Sequence, residues 1–342
     1  MSTRFFWFAL ALPLLGLIPL RSARAEDMQL ALSRLSRGAC QNTLSNSNPF
    51  VLRTGDVQTL TEDNAAWAQI MTQLTPVITP AVLAPVTTSG PKGFDVSFET
   101  NVTKISDNAS YWARGSQGHG PESYETCDGR NTDVSPRLTS NRLHFTKALP
   151  LGFTLGATVG RVYNTGLWLV GGDIKLALIE GLRRWPMPDV AVRAAVNTTV
   201  GSAQYTLTSV AADVILSKNI VTARVMQISP YAGAGMVFSF ASSELVDLTP
   251  NVDAVKCAAG TDPVCNSQGL GASADDIGHD RPFKDLKLKR YRGFAGLAMR
   301  YELFTLAAEF IFDLVPPPDA DKTNGKGTPR QWTFNVAPGL TF

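Results

Sequence analysis

The feature that most constrains the fold of this chain is the alternation of apolar with polar or small residues, which is clearest in residues 331–342. One set of alternating positions holds the apolar residues Trp332, Phe334, Val336, Pro338, Leu340 and Phe342. The other set holds Gln331, Thr333, Asn335, Ala337, Gly339 and Thr341. Successive side chains of a β-strand point to opposite faces. The segment is therefore predicted to be a strand with one apolar face and one polar face.

The same alternation recurs from Gly93 onward. The segments are 94–103, 138–148, 152–163, 167–180, 188–200, 204–216, 221–240, 286–301, 303–314 and 331–342. Each can supply the roughly 9–11 residues that a tilted strand needs to cross a bilayer. We therefore predict an all-β fold, an antiparallel transmembrane barrel of ten strands, or of twelve if residues 48–60 join the wall. An even number is expected of a bacterial single-chain barrel.

The connections between these segments differ in length according to their order. If both ends of the barrel face the periplasm, the odd-numbered connections face outward, and they include all the long ones, near 106–136, 241–285 and 315–329. The even-numbered connections, such as 149–151 and 217–219, are short. Transmembrane barrels have short periplasmic turns and longer outer loops. A soluble β-sandwich has no physical reason to sort its loops in this way.

The N-terminal residues have the pattern of an export signal. Arg4 precedes an apolar run over 5–20, and Ala23-Arg24-Ala25 offers the small residues at which signal peptidase cuts. We predict a cleaved signal over 1–25. Charged residues make up 18% of the chain, against about 25% in soluble domains. The net charge of +2 without a basic stripe indicates no nucleic-acid partner.

Taken together, the export signal, the alternating segments and the C-terminal sequence TFNVAPGLTF resemble bacterial outer-membrane β-barrel proteins of Gram-negative cells. The resemblance covers about 93–342, at the level of architecture. It implies an outer-membrane location, and it implies that the barrel-assembly machinery reads the last strand. The residues that would carry this signal are Phe334, Val336, Leu340 and Phe342. Pro338 departs from the usual pattern, because it removes a hydrogen-bond donor from the strand.

The residues between the signal and the barrel, 26–91, do not alternate. Thr61 to Asn64 can cap a short helix over 65–74. Four prolines in 76–91 indicate an extended linker. This segment is predicted to be either a periplasmic or plugging module or a loosely ordered arm, and the barrel itself is assigned to 92–342.

Charged residues of the predicted strands fall on the inward positions. They are Asp95, Glu99, Arg142, Asp173, Lys175, Arg193, Asp213, Arg290, Arg292, Arg300, Glu309 and Asp313. Charges on the lipid face would cost about 2–4 kcal/mol at the bilayer midplane, so these side chains are expected in the lumen. They could line a water-filled path, or they could pair and fill the interior. Aromatic residues at strand ends, among them Trp112, Trp168 and Tyr205, are expected in interfacial girdles.

Cysteines and acidic loops give weaker signals. Cys257 and Cys265 form a natural local disulfide pair within the longest loop. Cys40 and Cys127 would then be left to each other, although the sequence does not decide this. Two loops are dense in potential ligands: His119, Glu122, Glu125, Cys127 and Asp128, and then Asp275, Asp276, His279 and Asp280. Neither has the spacing of a known metal motif, so no metal and no cofactor is predicted.

We interpret the chain as a porin-like narrow or gated pore or transporter for small solutes. The alternative is a non-conducting structural or surface-interaction barrel that acts through its long outer loops, above all 241–285. An enzyme ranks third, because none of the three histidines lies in a recognisable nucleophile motif. No catalytic residue is therefore named. The expected partners are outer-membrane lipid, the assembly machinery, and either small solutes or a surface partner.

Overall fold

The computed structural model describes residues 27–37, 61–90, 93–118, 131–180, 187–223, 226–248, 280–317 and 329–342. Within these ranges the chain is mainly β-strand, with two α-helices and short 3-10 turns. Neither helix is long and apolar enough to cross a membrane. The predicted signal over 1–25 and residues 48–60, which could have added wall strands, lie outside the described residues.

Ten long strands form one closed antiparallel barrel. The strands in chain order are β1 Ser36–Arg37, β2 Thr61–Glu62, β3 Phe94–Lys104, β4 Arg137–Ala148, β5 Phe153–Val162, β6 Trp168–Ile179, β7 Asp189–Val200, β8 Tyr205–Ser217, β9 Ile220–Ala223, β10 Met226–Ser243, β11 Leu245–Asp247, β12 Asp280–Pro282, β13 Leu286–Tyr301, β14 Phe304–Asp313 and β15 Trp332–Thr341. The wall consists of β3 to β8, β10 and β13 to β15. Pairing of β15 with β3 joins the last strand to the first, and β10 pairs directly with β13. The predicted barrel is thus confirmed, with ten strands.

The strand boundaries follow the alternating segments closely, and the largest difference is at β10. The sequence places this strand at 221–240, whereas it spans Met226–Ser243. Residues 220–223 form the separate short strand β9, which pairs with β10 through an irregular register. The segment merged β9 with β10, because the apolar residue Val221 extended the alternation toward the start of β10.

The two ends of the barrel differ in their connections. At one end, here called the long-loop end, the connections join β3 to β4, β5 to β6, β7 to β8, β10 to β13, and β14 to β15. The opposite end, called the short-turn end, holds the start of β3, the end of β15, the turn over 149–152 and residues 302–303. At this end β6 also leads to β7, and β8 leads through β9 to β10. Backbone hydrogen bonds between Phe94 and Phe342 join the two chain ends of the wall there.

The outer face of the wall is a continuous apolar surface. Val196, Val214, Phe310 and Phe334 are among the large apolar side chains that point outward and are 44–49% exposed. The opposite face of each strand carries polar and charged residues that are buried inside the barrel. A closed sheet with an apolar exterior and a polar interior satisfies its backbone hydrogen bonds internally and presents to lipid only side chains that lipid solvates.

Residues 61–90, which we call the lumen segment, run through the barrel from the long-loop end to the short-turn end. Helix α1, Asn64–Ile78, begins at the long-loop end, where Asp63 caps it by accepting a hydrogen bond from the Ala66 amide at 3.1 Å. Trp67 Nε1 donates to the Lys284 carbonyl at this end. After the helix the chain is extended, and the Ser89 hydroxyl reaches Asp95 at the start of β3.

An apolar cluster closes the long-loop end around the first turns of α1. It includes Trp67 and Ile70 of the helix, Leu32 and Leu35 of a 3-10 turn over Leu32–Leu35, and Trp112 of helix α2, Ser110–Gly115. Leu30, which precedes the 3-10 turn, forms an isolated β-bridge with Ser116. Residues 28–35 therefore lie at the long-loop end, and the chain crosses the whole barrel before it enters β3.

Two sequence-based predictions near this cluster are wrong. The helix was predicted over 65–74, but α1 continues to Ile78 and contains Pro76. Trp112 and Tyr205 are not girdle residues, since both are buried inside the barrel, where Trp67 packs edge-on against Tyr205. By contrast, Trp168 is 51% exposed at the long-loop end of β6, as a girdle residue would be.

The apolar exterior makes a depth-dependent prediction for two outward valines of β7. Replacing Val196 by Arg places a charge at mid-height and is expected to cost about 2–4 kcal/mol, whereas Val200→Arg at the strand end should cost about 0–1 kcal/mol. Urea unfolding of the refolded protein in lipid vesicles, followed by tryptophan fluorescence, measures both. Equal costs for the two substitutions would contradict a lipid-facing position of this strand.

Candidate functional site

The carboxyl end of helix α1 lies at mid-height in the lumen, where wall side chains bind its carbonyl groups. The last carbonyls of a helix have no partner within the helix and carry its partial negative charge. Arg142 of β4 donates to the Val77 and Thr79 carbonyls at 2.6 and 3.1 Å. Asn197 of β7 donates to the Ile78 carbonyl at 2.9 Å. A buried helix end is thereby satisfied by the barrel wall.

Pro76 creates a further acceptor within the helix. Because proline has no backbone N–H, the carbonyl four residues earlier loses its helical partner. That carbonyl belongs to Thr72, and the guanidinium of Arg290 on β13 donates to it. The same guanidinium pairs with Asp313 on β14 and donates to the Gln331 side chain at 2.8 Å. The carbonyl that Pro76 leaves without a helical partner thus attaches the helix to the wall.

Beyond the helix, wall charges bind the extended part of the lumen segment through its backbone. Arg292 donates to the Pro80 carbonyl at 3.0 Å. The two carboxylate oxygens of Glu309 accept from the Val82 and Leu83 amides at 3.1 and 3.0 Å. Lys175 donates to the Pro85 carbonyl at 2.8 Å. Each of these wall groups is opposite in charge to the end of the backbone dipole that it contacts: the cations bind carbonyl oxygens, and the carboxylate binds amide N–H groups.

Other lumen charges pair with each other on the inner face of the wall, either on adjacent strands or across the one strand between them. Arg292 makes two hydrogen bonds to the carboxylate of Asp213, at 3.0 and 2.8 Å. Arg193 donates to Asp173 at 3.2 Å and lies 3.8 Å from Asp213. Two parallel hydrogen bonds of this kind fix the orientation of both partners.

His144 connects two carboxylates on either side of it. Its Nδ1 lies 2.8 Å from Glu99 Oε1, and its Nε2 lies 2.8 Å from Asp173 Oδ1. Gly156 on the facing strand makes room for this contact. A Cβ at position 156 would overlap with the Asp173 carboxylate and would lie 2.6 Å from His144 Nε2. A row of hydrogen-bonded groups therefore runs from Glu99 through His144 and Asp173 to Arg193.

The twelve charged residues expected in the lumen have the following positions. Glu99, Arg142, Lys175, Arg193, Asp213, Arg290, Arg292, Glu309 and Asp313 are buried inside the barrel. The Asp173 side chain is also buried. Asp95 is half-buried at the short-turn end, and Arg300 is exposed there, where it donates to the Glu302 carbonyl. The structure thus places the ten buried residues around the lumen segment, whereas Asp95 and Arg300 lie where this segment leaves the barrel.

Sequence reasoning missed the amides and hydroxyls that bind the same segment. Gln331 donates to the Gln73 and Lys104 carbonyls, and the Ser217 hydroxyl accepts from the Val86 amide. These residues and Asn197 occupy the same inward, alternating positions as the lumen charges. The alternation alone would therefore have predicted that they face the lumen. Only the charged members of that set were singled out.

Several other predictions stay untested. The proposed assembly residues Phe334, Val336, Leu340 and Phe342 lie on the outward side of the last strand or at its end, and their role stays a prediction. Cys257 and Cys265, Cys40 and Cys127, and the loop residues 119–128 and 275–279 lie outside the described residues. In the part of the chain that the structure describes, no three His, Cys, Asp or Glu side chains are placed to hold a metal ion. That the chain is not an enzyme also stays a prediction.

Comparison with known proteins finds likeness in solved structures alone. No protein-family model matches the chain, and no curated protein matches its sequence. Ail, the attachment invasion locus protein of Yersinia pestis, is 9% identical with a TM-score of 0.27, covering 74% of this chain and 99% of its own. OprG of Pseudomonas aeruginosa is 12% identical with a TM-score of 0.28, covering 74% and 96%. The outer-membrane protease OmpT of Escherichia coli is 8% identical with a TM-score of 0.26, covering 75% and 98%. At such low TM-scores we draw nothing from the likeness.

The class of the protein follows from its own architecture. The wall closes on itself without a free edge, its outer face is apolar, and its inner face is polar and charged. Only a lipid bilayer solvates such an exterior, and bacterial outer-membrane barrels combine these three properties. The chain is a closed transmembrane β-barrel of ten strands, similar in architecture to bacterial outer-membrane proteins, with a segment of its own chain inside the lumen.

The paired lumen charges make a prediction for Arg292 and Asp213. Replacing Arg292 by Met leaves the buried Asp213 carboxylate without its main partner and should cost about 3–5 kcal/mol. Adding Asp213→Leu removes the stranded charge, and the double variant should regain most of that loss. Urea unfolding midpoints in lipid vesicles compare the three proteins. A double variant as unstable as the single one would show that the pair acts through something other than mutual neutralisation.

Proposed function

We propose that this barrel is a gated pore for small solutes, and that the lumen segment is its plug. The observation that carries the proposal is the way the wall holds this segment. Arg142, Arg292, Lys175 and Glu309 bind its backbone carbonyls and amides, at 2.6–3.1 Å. Water can replace a wall side chain at each of these polar groups, so the same contacts that hold the segment also allow it to leave.

The charge of the wall supports a lumen that admits water when the plug is displaced. Buried ion pairs give little net stability, and well-packed apolar residues often replace them without loss. A barrel that only needed a filled interior would therefore be served by apolar side chains. This interior instead carries Asp173 with Arg193, Asp213 with Arg292, and Asp313 with Arg290. Water would solvate such paired charges in an open, hydrated lumen.

The width of the barrel limits the size of the solute. An eight-stranded barrel has an interior that side chains fill, and the diameter grows about linearly with strand number. A ten-stranded wall is only slightly wider, and here a single helix followed by an extended chain occupies it. The proposed solutes are therefore small, and conduction requires displacement of residues 61–90.

Conductance in a planar bilayer tests the proposal with variants of the full chain from Glu26. Arg142→Gln and Lys175→Met each remove hydrogen bonds to the plug backbone and should raise the frequency of open steps above that of the parent. Arg193→Gln is the matched control. It removes the same lumen charge, but the bonds of Arg193 go to wall carboxylates, so opening should stay rare. A chain that begins at residue 91 should conduct steadily.

Each sample is accepted only if its unboiled band migrates differently from the boiled one. Equal conductance of the parent and of the chain beginning at residue 91 would reject the plug. Silence from every folded form would reject the pore.

A second candidate function rests on the ordered cap at the long-loop end. Residues 28–35, helix α2 and the β11–β12 pair lie around Trp67, Val246 and Phe283 in one apolar cluster. An ordered outer surface of this kind favours a surface-interaction barrel that acts through its loops. The lumen would then serve only to hold the cap in place.

Trimming the longest loop separates the two candidates. If the protein is a pore, replacing 249–279 by a short Gly/Ser linker in the Arg142→Gln background should leave the size of the open steps unchanged. The reason for this expectation is that the described contacts to the plug backbone come from wall strands, such as those of Arg142, Arg292 and Glu309. A trimmed barrel that folds but no longer conducts would assign the main role to the long loop.

A further inference from the structure

A cavity remains in the lumen beside the extended part of the plug. It has a volume of about 310 Å³ and lies between residues 82–89 and the wall. Its lining reaches from Glu99 and Arg193 at mid-height to Ser89 and Arg300 near the short-turn end. At roughly 30 Å³ for each water molecule, the space equals about ten waters. This is the lower limit of the volumes typical of small-molecule sites.

Most charged groups that line the cavity already have partners. Lys175 donates to the Pro85 carbonyl, and Glu180 accepts from the Thr88 amide at 2.8 Å. Asp95 accepts from Ser89 at 2.7 Å. The two oxygens of Asp173 are bound by His144 and Arg193. None of these groups needs a ligand.

Two groups of opposite charge are exceptions. Oε2 of Glu99 has no hydrogen-bond partner, and neither does either terminal nitrogen of Arg193, of which Nη1 lies 3.8 Å from Asp213. The residues are only 1% and 4% exposed, and both line the cavity. The hydroxyl of Thr154, also in the lining, is unpartnered as well. Leaving a buried polar group without a hydrogen bond costs about 1–3 kcal/mol, and more when it is charged.

The two exceptional groups are held in a fixed relation to each other. Glu99 binds His144 at 2.8 Å, His144 binds Asp173 at 2.8 Å, and Arg193 binds Asp173 at 3.2 Å. One end of this row holds a carboxylate oxygen without a hydrogen bond, and the other end holds two guanidinium nitrogens without one. A ligand that meets both ends finds them already positioned, which lowers the cost of ordering on binding.

We propose that this cavity binds a small zwitterion, with its ammonium group on Glu99 and its carboxylate on Arg193. Guanidinium and carboxylate match each other as donors and acceptors, and both contacts are charge-assisted hydrogen bonds. Because each end of the ligand gives one buried group its missing hydrogen bond, a solute with only one charge leaves the other group without it. The inference deepens the proposed function by naming a solute class, and in that respect it rests on it.

Isothermal titration calorimetry on the refolded full chain from Glu26 tests the proposal. The probes are L-serine, sodium acetate and ethylammonium chloride. L-serine should bind, and each singly charged probe should bind at least about tenfold more weakly, which corresponds to about 1.4 kcal/mol. Glu99→Gln keeps an oxygen for His144 but removes the charge, and it should weaken L-serine binding by a similar factor. Arg193→Lys should do the same by removing the guanidinium.

Glu302→Gln is the matched control, because it makes the same carboxylate-to-amide change on an exposed turn outside the cavity. It should bind L-serine like the parent. The unboiled gel band reports folding for every variant. If Arg193→Lys does not fold, L-serine binding by Glu99→Gln tests the site.

Three results would overturn the site: no heat with L-serine, equal affinity for all three probes, or parent-like binding by Glu99→Gln. Binding by a barrel that never conducts would reject the pore and keep the site. Conduction without binding would reject the site and keep the pore.

Discussion

The structure depends on hydrogen bonds between charged wall side chains and the backbone of a chain segment inside the lumen. Backbone groups that are not paired within a helix or strand inside a barrel each need a hydrogen-bond partner. Arg142 supplies that partner at the end of α1, and Glu309 supplies it for the two amides that follow. The position of the helix end, the path of the extended chain and the remaining cavity all follow from these contacts.

The wall could be predicted from the sequence because its two faces meet different solvents. Lipid requires apolar side chains at every second position, and a polar interior accepts nearly anything at the others. The strand from 286 to 301 was therefore located to the residue, and β14 and β15 to within one residue. The lengths of the connections then favoured a transmembrane barrel over a soluble β-sandwich. The inward parity of Asp213 and Arg292 followed from the same alternation.

The interior could not be predicted because no such periodicity governs it. Pro76 ends helices in water, but here Arg290 satisfies the carbonyl that proline abandons, so the helix continues for two residues. Trp112 and Tyr205 stand near strand ends, where aromatic girdles form, yet they pack around Trp67 inside the barrel. Whether a lumen charge pairs with another charge or binds backbone depends on strand register and on the path of the lumen segment. The alternation of apolar and polar residues predicts neither of these.

The lumen charges fall into two groups with different consequences for an opened pore. Arg290, Arg292 and Arg193 each have a wall carboxylate, in Asp313, Asp213 and Asp173, and keep it when the segment leaves. The hydrogen bonds of Arg142 and Lys175 go to the carbonyls of the segment, and those of Glu309 go to its amides. Departure of the segment would therefore uncover two cations and one anion. Glu99 balances them, because the ten buried lumen charges comprise five basic and five acidic side chains. These residues therefore give an opened lumen no bias toward cations or anions.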